Sequence, residues 1–318
     1  MPLAPFRLSP WFSPRPWGSR SLLPWFDLTV PERCEPIGEA WLTSKDCIIE
    51  SGPHRGHTLG QLAAQHPKQL LGTTASHQDA QDYPLLLKFI FPREQLSVQV
   101  HPDDEMAQAL GQPRGKTECW YCVESSKGSV ALGLKAGVTE DSVREAVQNN
   151  SLEQLLNWER VAAGDMVFVD AGTVHAIGPG VVLLETQQQS DITYRLYDYG
   201  RPRELHIDLA LKAMRLKTAA GKVEPQRLAA GEMRLIQQTY FTVDRYDLRA
   251  GETRSISAAA YPLTLVSLTG DATLDGQGSE SVMLGHAQAI VLPPADAGAI
   301  YELRAREDAI VICASPAP

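Results

Sequence analysis

The chain has 318 residues, 43% apolar and 21% charged, which excludes the disordered and collagen-like classes and leaves room for one large or two ordinary domains. Its formal net charge is −9. No run of Lys or Arg interrupts that balance, and this argues against nucleic-acid binding, because phosphate neutralisation takes clustered cations. A small anion needs only a few placed ones.

The N-terminus, "MPLAPFRLSPWFSPRPWGSRSLLPWF", is aromatic and proline-rich and lacks the continuous apolar stretch of a signal peptide or a membrane span. A cytoplasmic protein with no membrane partner is expected. Five cysteines, Cys34, Cys47, Cys119, Cys122 and Cys313, make an odd set that suits reduced thiols better than a disulfide framework. "CWYC" has C-x-x-C spacing but neither a second pair nor the strand-to-helix setting of a redox motif, so two thiols in a strand are expected. His54 and His57 in "GPHRGH" read as loop residues.

From residue 85 the segments "LLLKFIF", "LSVQV", "CWYCVE", "GSVALGL", "DMVFVD", "VVLLETQ" and "ITYRLYDY" are short, rich in β-branched and aromatic residues, and separated by Gly, Pro or Asp turns. That rhythm belongs to a β-sandwich or barrel. Residues 139–160 break it, with apolar residues at helical spacing behind the cap-like Thr139, and "ELHIDLALKAMRL" predicts a further helix. After about residue 225 the β rhythm resumes. A weak repeat relates 162–185 to 283–308, each with a Gly turn, an apolar strand, a corner and a returning strand; only the first carries a histidine, His175, after the corner. Two similar β-barrels are therefore expected, residues 1–225 carrying the site and a helical insertion near 139–160, and residues 226–318 carrying neither.

In "LSVQVHPDDEMAQ", Gln99 and His101 stand two apart on a strand and so look into one compartment, while Pro102 ends the strand and Asp103 or Asp104 caps the next turn. Glu118 in "GKTECWY" and His175 in "AGTVHA" occupy similar Gly-marked corners. Two imidazoles, a carboxylate and a carboxamide form a nitrogen and oxygen donor set suited to Zn²⁺, with Fe²⁺, Mn²⁺ or Co²⁺ as other occupants.

The His-bearing strand, the later Glu and "G-x5-D-x-G-x-x-H" (Gly164 to His175) resemble the two metal motifs of the cupin barrel. More specifically, "GEAW", "LSVQVHPDD", "GKTECWY", "AGTVHAIG" and "QQSDITYRLYDYGR" resemble, in order from about Trp17 to Arg201, the short bacterial type I mannose-6-phosphate isomerases. The resemblance implies a mainly β fold of two cupin-like jelly-roll barrels and one Zn²⁺ per chain on His101, Glu118 and His175, with Gln99 as fourth ligand. It further implies a sugar-phosphate substrate, Arg195 as active-site arginine, and Lys88 and Lys116 lining the pocket. Two departures stand out: Asp170 where the cupin pattern has Pro, and "WGSRSL" in place of a Gly-rich rim.

Moving a proton between C2 and C1 of a hexose phosphate through an enediol needs a base beside carbon and a stabilised oxyanion. Arg195 and Lys116 are the expected catalytic groups, with Lys88, Asp191 and Glu185 binding substrate. As the base itself, Lys116, Glu185, Asp191 and metal-bound solvent stay open. A non-catalytic sugar-phosphate-binding cupin and another metal-dependent cupin enzyme are the alternative functions, and the combined lysine, arginine and ligand set weighs against both.

Overall fold

The structure is a computed structural model that describes residues 3–72, 82–258, 260–276, 280–294 and 300–317. It is mainly β, as expected, with four antiparallel sheets stacked as layers. The first holds Tyr194–Tyr197, Val98–Val100, His175–Ile177, Ser129–Leu134 and Leu156–Arg160. The second runs Gly221–Val223, Met166–Val169, Glu118–Ser125, Val181–Gln188, Leu85–Ile90, Ile37–Trp41 and Trp11–Ser19. An eight-stranded sheet built around Phe241–Leu248, Ala309–Pro316 and Leu263–Thr269 follows, and a four-stranded sheet closes the stack. The sheets pair into two sandwiches that do not close into continuous barrels.

Strand parity explains where the polar residues go, since alternate side chains face opposite layers. On Leu85–Ile90, Leu87 and Phe89 pack into the core shared with the eight-stranded sheet, whereas Ile90 joins the core inside the first sandwich. Lys88 has the parity of Ile90. It therefore enters the first sandwich from a strand buried on both faces, which is why its sequence surroundings are apolar throughout. The same parity disposes of "CWYC": Cys119 lies in the inter-sandwich core and Cys122 in the first sandwich, on opposite faces of their strand, and both are free thiols.

The helical insertion is shorter than the expected 139–160. It comprises the helix Glu140–Gln148, capped by Thr139 in a capping box with Ser142, and a 3₁₀ turn Leu152–Leu155; Leu156–Arg160 is a strand. Charged Glu159 and Arg160 suit an edge strand, and helical spacing upstream masked it. With Ile207–Ala213, the insertion covers the outer face of the first sheet, whose Val98, Val100, Ala176 and Leu196 are buried against Val143, Val147 and Leu211. Asp103 caps the short helix Asp104–Ala109 by accepting the Met106 N–H at 3.0 Å.

A division near residue 225 remains a proposal for the folding units, with one element exchanged: Phe6–Ser9 pairs with Ala289–Leu292 in the eight-stranded sheet and draws Ile48–Ile49 with it. The turn of the second repeat that corresponds to the His175 corner falls in 295–299, outside the described residues. Among the described residues, no helix is long and apolar enough to cross a membrane.

Candidate metal centre and active site

The site lies between the two sheets of the first sandwich, and β-register assembles it. His175 and Arg195 flank Gln99 as direct cross-strand neighbours in one sheet; in the other, Glu185 is opposite Lys88. Glu118 starts its strand level with Val169 and Gln187. His101 sits just past Val98–Val100, held there because its carbonyl accepts the N–H of Gly172 at 2.9 Å. Gly172 has φ +89°, and a Cβ there would meet Arg215 at 2.8 Å, so the corner ahead of His175 demands glycine. Asp170, the departure from Pro, shapes that corner by accepting the Thr173 hydroxyl at 2.8 Å and the Ala219 N–H at 3.2 Å.

One ligand atom each from His101, Glu118 and His175 lies within 4.8 Å of the others, and the three residues are 2%, 1% and 0% exposed. Both imidazoles are oriented from behind: His101 Nδ1 donates to the Ile192 carbonyl at 2.8 Å and His175 Nδ1 to that of Thr173 at 2.9 Å. Each Nε2 then presents a lone pair to the carboxylate, at 3.5 Å for His101 and 3.4 Å for His175. Burial pushes both histidines down, with Lys116 assisting at His101, which falls to about 3; both rings are neutral at pH 7. Glu118 is lowered too, against burial, which alone would raise it: Lys116 and the two histidines hold it well below the ordinary carboxylate range.

His101 Nε2 is buried without a hydrogen-bond partner, and the oxygen it faces, Glu118 Oε2, is otherwise met only by the Lys116 ammonium, at 3.0 Å. Buried polar atoms are rarely left so, and two imidazole lone pairs converging on an ionised carboxylate form a donor set for a divalent cation. The residues fit a metal. Gln99 extends the set, with its amide nitrogen 3.2 Å from His175 Nε2 and its oxygen accepting the Ser97 hydroxyl at 3.0 Å; a flip of the amide would present the oxygen to the cluster and a donor to Ser97.

Above this floor opens a cavity of about 340 Å³, lined by Gln99, Glu118, Lys88, Lys116, Glu185, Asp191 and Arg195 among others. Every expected site residue except His101 and His175 lines it directly, and those two lie beneath. Charges alternate along one wall. Arg15 is 2.8 Å from Glu39, Lys88 is 3.4 Å from Glu39 and 3.2 Å from Glu185, and Lys116 is 3.7 Å from Glu185 and 3.0 Å from Glu118. Burial would lower Lys88, yet Glu185 and Glu39 together raise it, so it is cationic. Burial and the Glu118 charge raise Glu185 against the pull of the two lysines.

Arg195 does not pair with nearby Asp198, which is taken bidentately by Arg203, at 2.7 and 2.6 Å, and by Arg201 at 3.1 Å. Among the described residues Arg195 makes no ion pair, its Nε has no partner, and burial together with Arg203 pushes its pKa down. Asp191 is exposed at the rim. Sequence reasoning passed over Glu39, Arg15 and Arg203. Glu39 lies in the quoted "GEAW", where the Trp41 indole donates to it at 2.9 Å; the two arginines lie outside the quoted motifs.

Fold and site together define a cupin-type β-protein with a two-histidine, one-carboxylate group that could hold a metal beneath a pocket lined by both lysine or arginine and carboxylate side chains. Residues 5–145 match the family model for the phosphomannose isomerase type I catalytic domain. The chain is 32% identical over 262 residues to mannose-6-phosphate isomerase ManA of Bacillus subtilis, covering 78% of this chain and 81% of that one. It is also 32% identical over 281 residues to mannose-6-phosphate isomerase of Streptococcus mutans, covering 84% of each. The crystal structure of mannose 6-phosphate isomerase from Bacillus subtilis superimposes with a TM-score of 0.86 at 27% identity over 98% of this chain and 99% of that one. A putative mannosephosphate isomerase from Archaeoglobus fulgidus, at 19% identity and a TM-score of 0.77 over 100% of this chain and 99% of that one, shares the fold. The chain belongs to the type I mannose-6-phosphate isomerase family.

Proposed function

We propose that the protein interconverts mannose 6-phosphate and fructose 6-phosphate with one Zn²⁺ per chain, held by His101, Glu118 and His175 with Gln99 as fourth ligand. The observation that carries this is His101 Nε2, a buried ligand atom with no hydrogen-bond partner, facing Glu118 at 3.5 Å at the base of a cavity walled by Lys88, Lys116 and Arg195. When bound there, the metal would act as a Lewis acid towards the sugar oxygens.

The chain's own groups supply the rest. Arg195, left without a carboxylate because Asp198 is occupied, receives the substrate's anionic charge through its planar fork, with Arg15 and Arg203 adding positive potential on the same cavity wall. Lys116 and Glu185, 3.7 Å apart, form the proton-transfer pair: a proton leaves C2, is held between them, and returns to C1, a second proton passes from O2 to O1, and the lysine's remaining hydrogens support the enediolate oxygen. Lys88 keeps Glu185 in place at 3.2 Å, and Asp191 at the rim takes sugar hydroxyls. The N-terminal unit is catalytic, the C-terminal unit structural, and the setting cytoplasmic.

The test is direct. Protein stripped with a chelator is expected to lose conversion of mannose 6-phosphate and regain it with Zn²⁺, and conversion that survives verified metal removal contradicts the proposal.

A further inference from the structure

The proline after His101 is followed by two aspartates with different employment. Asp103 caps its helix, but the Asp104 carboxylate turns away from the helix and gathers three other elements. Its Oδ1 accepts the Gly115 N–H at 2.7 Å and the Gln188 side-chain amide at 3.0 Å, and its Oδ2 accepts the Tyr240 hydroxyl at 2.8 Å. Gln188 relays the grip, because its Oε1 accepts the Thr117 N–H at 2.9 Å while its own N–H reaches the Thr117 carbonyl at 3.2 Å. Between those two amides, the Lys116 N–H donates to the Pro102 carbonyl at 3.0 Å. Three consecutive amides, Gly115, Lys116 and Thr117, are thus fixed to the segment after His101 or to a residue that Asp104 holds. Gly115 permits the approach: a Cβ there would lie 2.4 Å from the Asp103 carbonyl carbon and 2.5 Å from the Pro102 oxygen.

We infer that Asp104 and Tyr240 form a positioning device for the Gly115–Glu118 segment, through which the C-terminal unit sets the placement of Lys116 and Glu118 in the active site. Tyr240 belongs to the turn between Glu232–Gln237 and Phe241–Leu248 of the eight-stranded sheet. Its ring is half-buried, and its hydroxyl reaches the first unit through one charged acceptor. Lys116 Nζ lies 3.0 Å from Glu118 Oε2 and 3.7 Å from Glu185 Oε1, so a shift of the backbone by a fraction of an ångström disturbs both contacts. Geometry at that scale matters to turnover, since a misplacement of about 1 Å can cost on the order of 10²-fold in rate. This inference rests on the proposed role of Lys116 and Glu118. Its structural half, the fixing of three amides from the other unit, stands apart from any activity.

Two variants separate the possibilities. Tyr240→Phe removes only the hydroxyl, and Asp104→Ala removes the whole junction. Both are compared with wild type as zinc-loaded protein for kcat, KM and metal content, and by amide hydrogen exchange in the peptide covering 113–118. Tyr240→Phe is expected to lower kcat about tenfold with KM little changed and zinc retained, and to speed exchange in that peptide. In the Asp104→Ala background, Tyr240→Phe is expected to add nothing further, because the hydroxyl acts only through that carboxylate. If Tyr240→Phe lowers the melting temperature but leaves kcat and exchange at 113–118 as in wild type, the contact is a mere strap and the inference fails. Should Asp104→Ala not fold, Tyr240→Phe decides alone. A wild-type protein inactive on mannose 6-phosphate would overturn the functional proposal, while exchange at 113–118 would still decide whether Tyr240 fixes the segment.

Discussion

The two sandwiches share an architecture and differ in what they bury. Before residue 225 the interior holds Glu39, Lys88, His101, Lys116, Glu118, His175 and Glu185; beyond it, among the described residues, the buried polar side chains are Thr242, Thr264 and Ser267, and none carries a charge. The second interior is filled instead by Leu265, Leu274, Leu284, Leu303 and their neighbours. Apolar packing stabilises a fold without desolvating charge, whereas each buried ion must be matched by a partner. One interior is therefore packed with apolar side chains, and the other holds paired charges around a cavity.

The contrast can be broken at either end. The largest effect is expected in the first sandwich: His175→Ala should lose the metal and at least ~10³-fold in kcat/KM, with little change in the folding of the second unit, read by metal analysis and turnover. Arg195→Ala should keep the metal and lose about 10²- to 10³-fold in kcat/KM; equal metal loss in both variants would defeat the division of roles. In the second sandwich, Leu303→Ala, at a fully buried position, should cost about 2–5 kcal/mol of stability by denaturant titration while kcat in the folded enzyme is unchanged.

The last effect is confined to acid. Burial would raise Glu39, but Lys88 and Arg15, with the Trp41 hydrogen bond, bring it down from 4.5 to about 2. A carboxylate depressed in the folded state contributes stability that is complete above its unfolded pKa near 4.5 and is lost as pH falls towards 2. That contribution is on the order of 3 kcal/mol. Glu39→Gln should flatten the acid limb of the stability curve between those values, and an unchanged limb would show that the Glu39 pair is screened by solvent.

Much of the site could be read from the sequence because its ligands stand on strands, where parity and Gly-marked corners are local signals. Gln99 and His101 two apart, and His175 after "DAGT", needed no partner to be noticed. Lys88 was conspicuous as a charge in an apolar run. What stayed hidden depends on register and on distance along the chain. Glu39 meets Lys88 across 49 positions, and Tyr240 meets Asp104 across 136; neither pairing leaves a trace in its own segment. The strand Leu156–Arg160 was absorbed into a helical pattern because its edge position is set by Ser129–Leu134, not by its own five residues. Likewise Phe6–Ser9 gives no local hint that it completes the second unit's sheet.

The proposed zinc chemistry depends on what His101, Glu118 and His175 bind. X-ray absorption on protein reconstituted with one equivalent of Zn²⁺, with turnover of mannose 6-phosphate followed as occupancy rises, tests it most directly. The expected result is a nitrogen and oxygen shell at about 2.0–2.2 Å with imidazole scattering and no sulfur, and turnover proportional to occupancy up to one zinc per chain. A shell containing sulfur, from Cys119 or Cys122, or turnover independent of occupancy would contradict it.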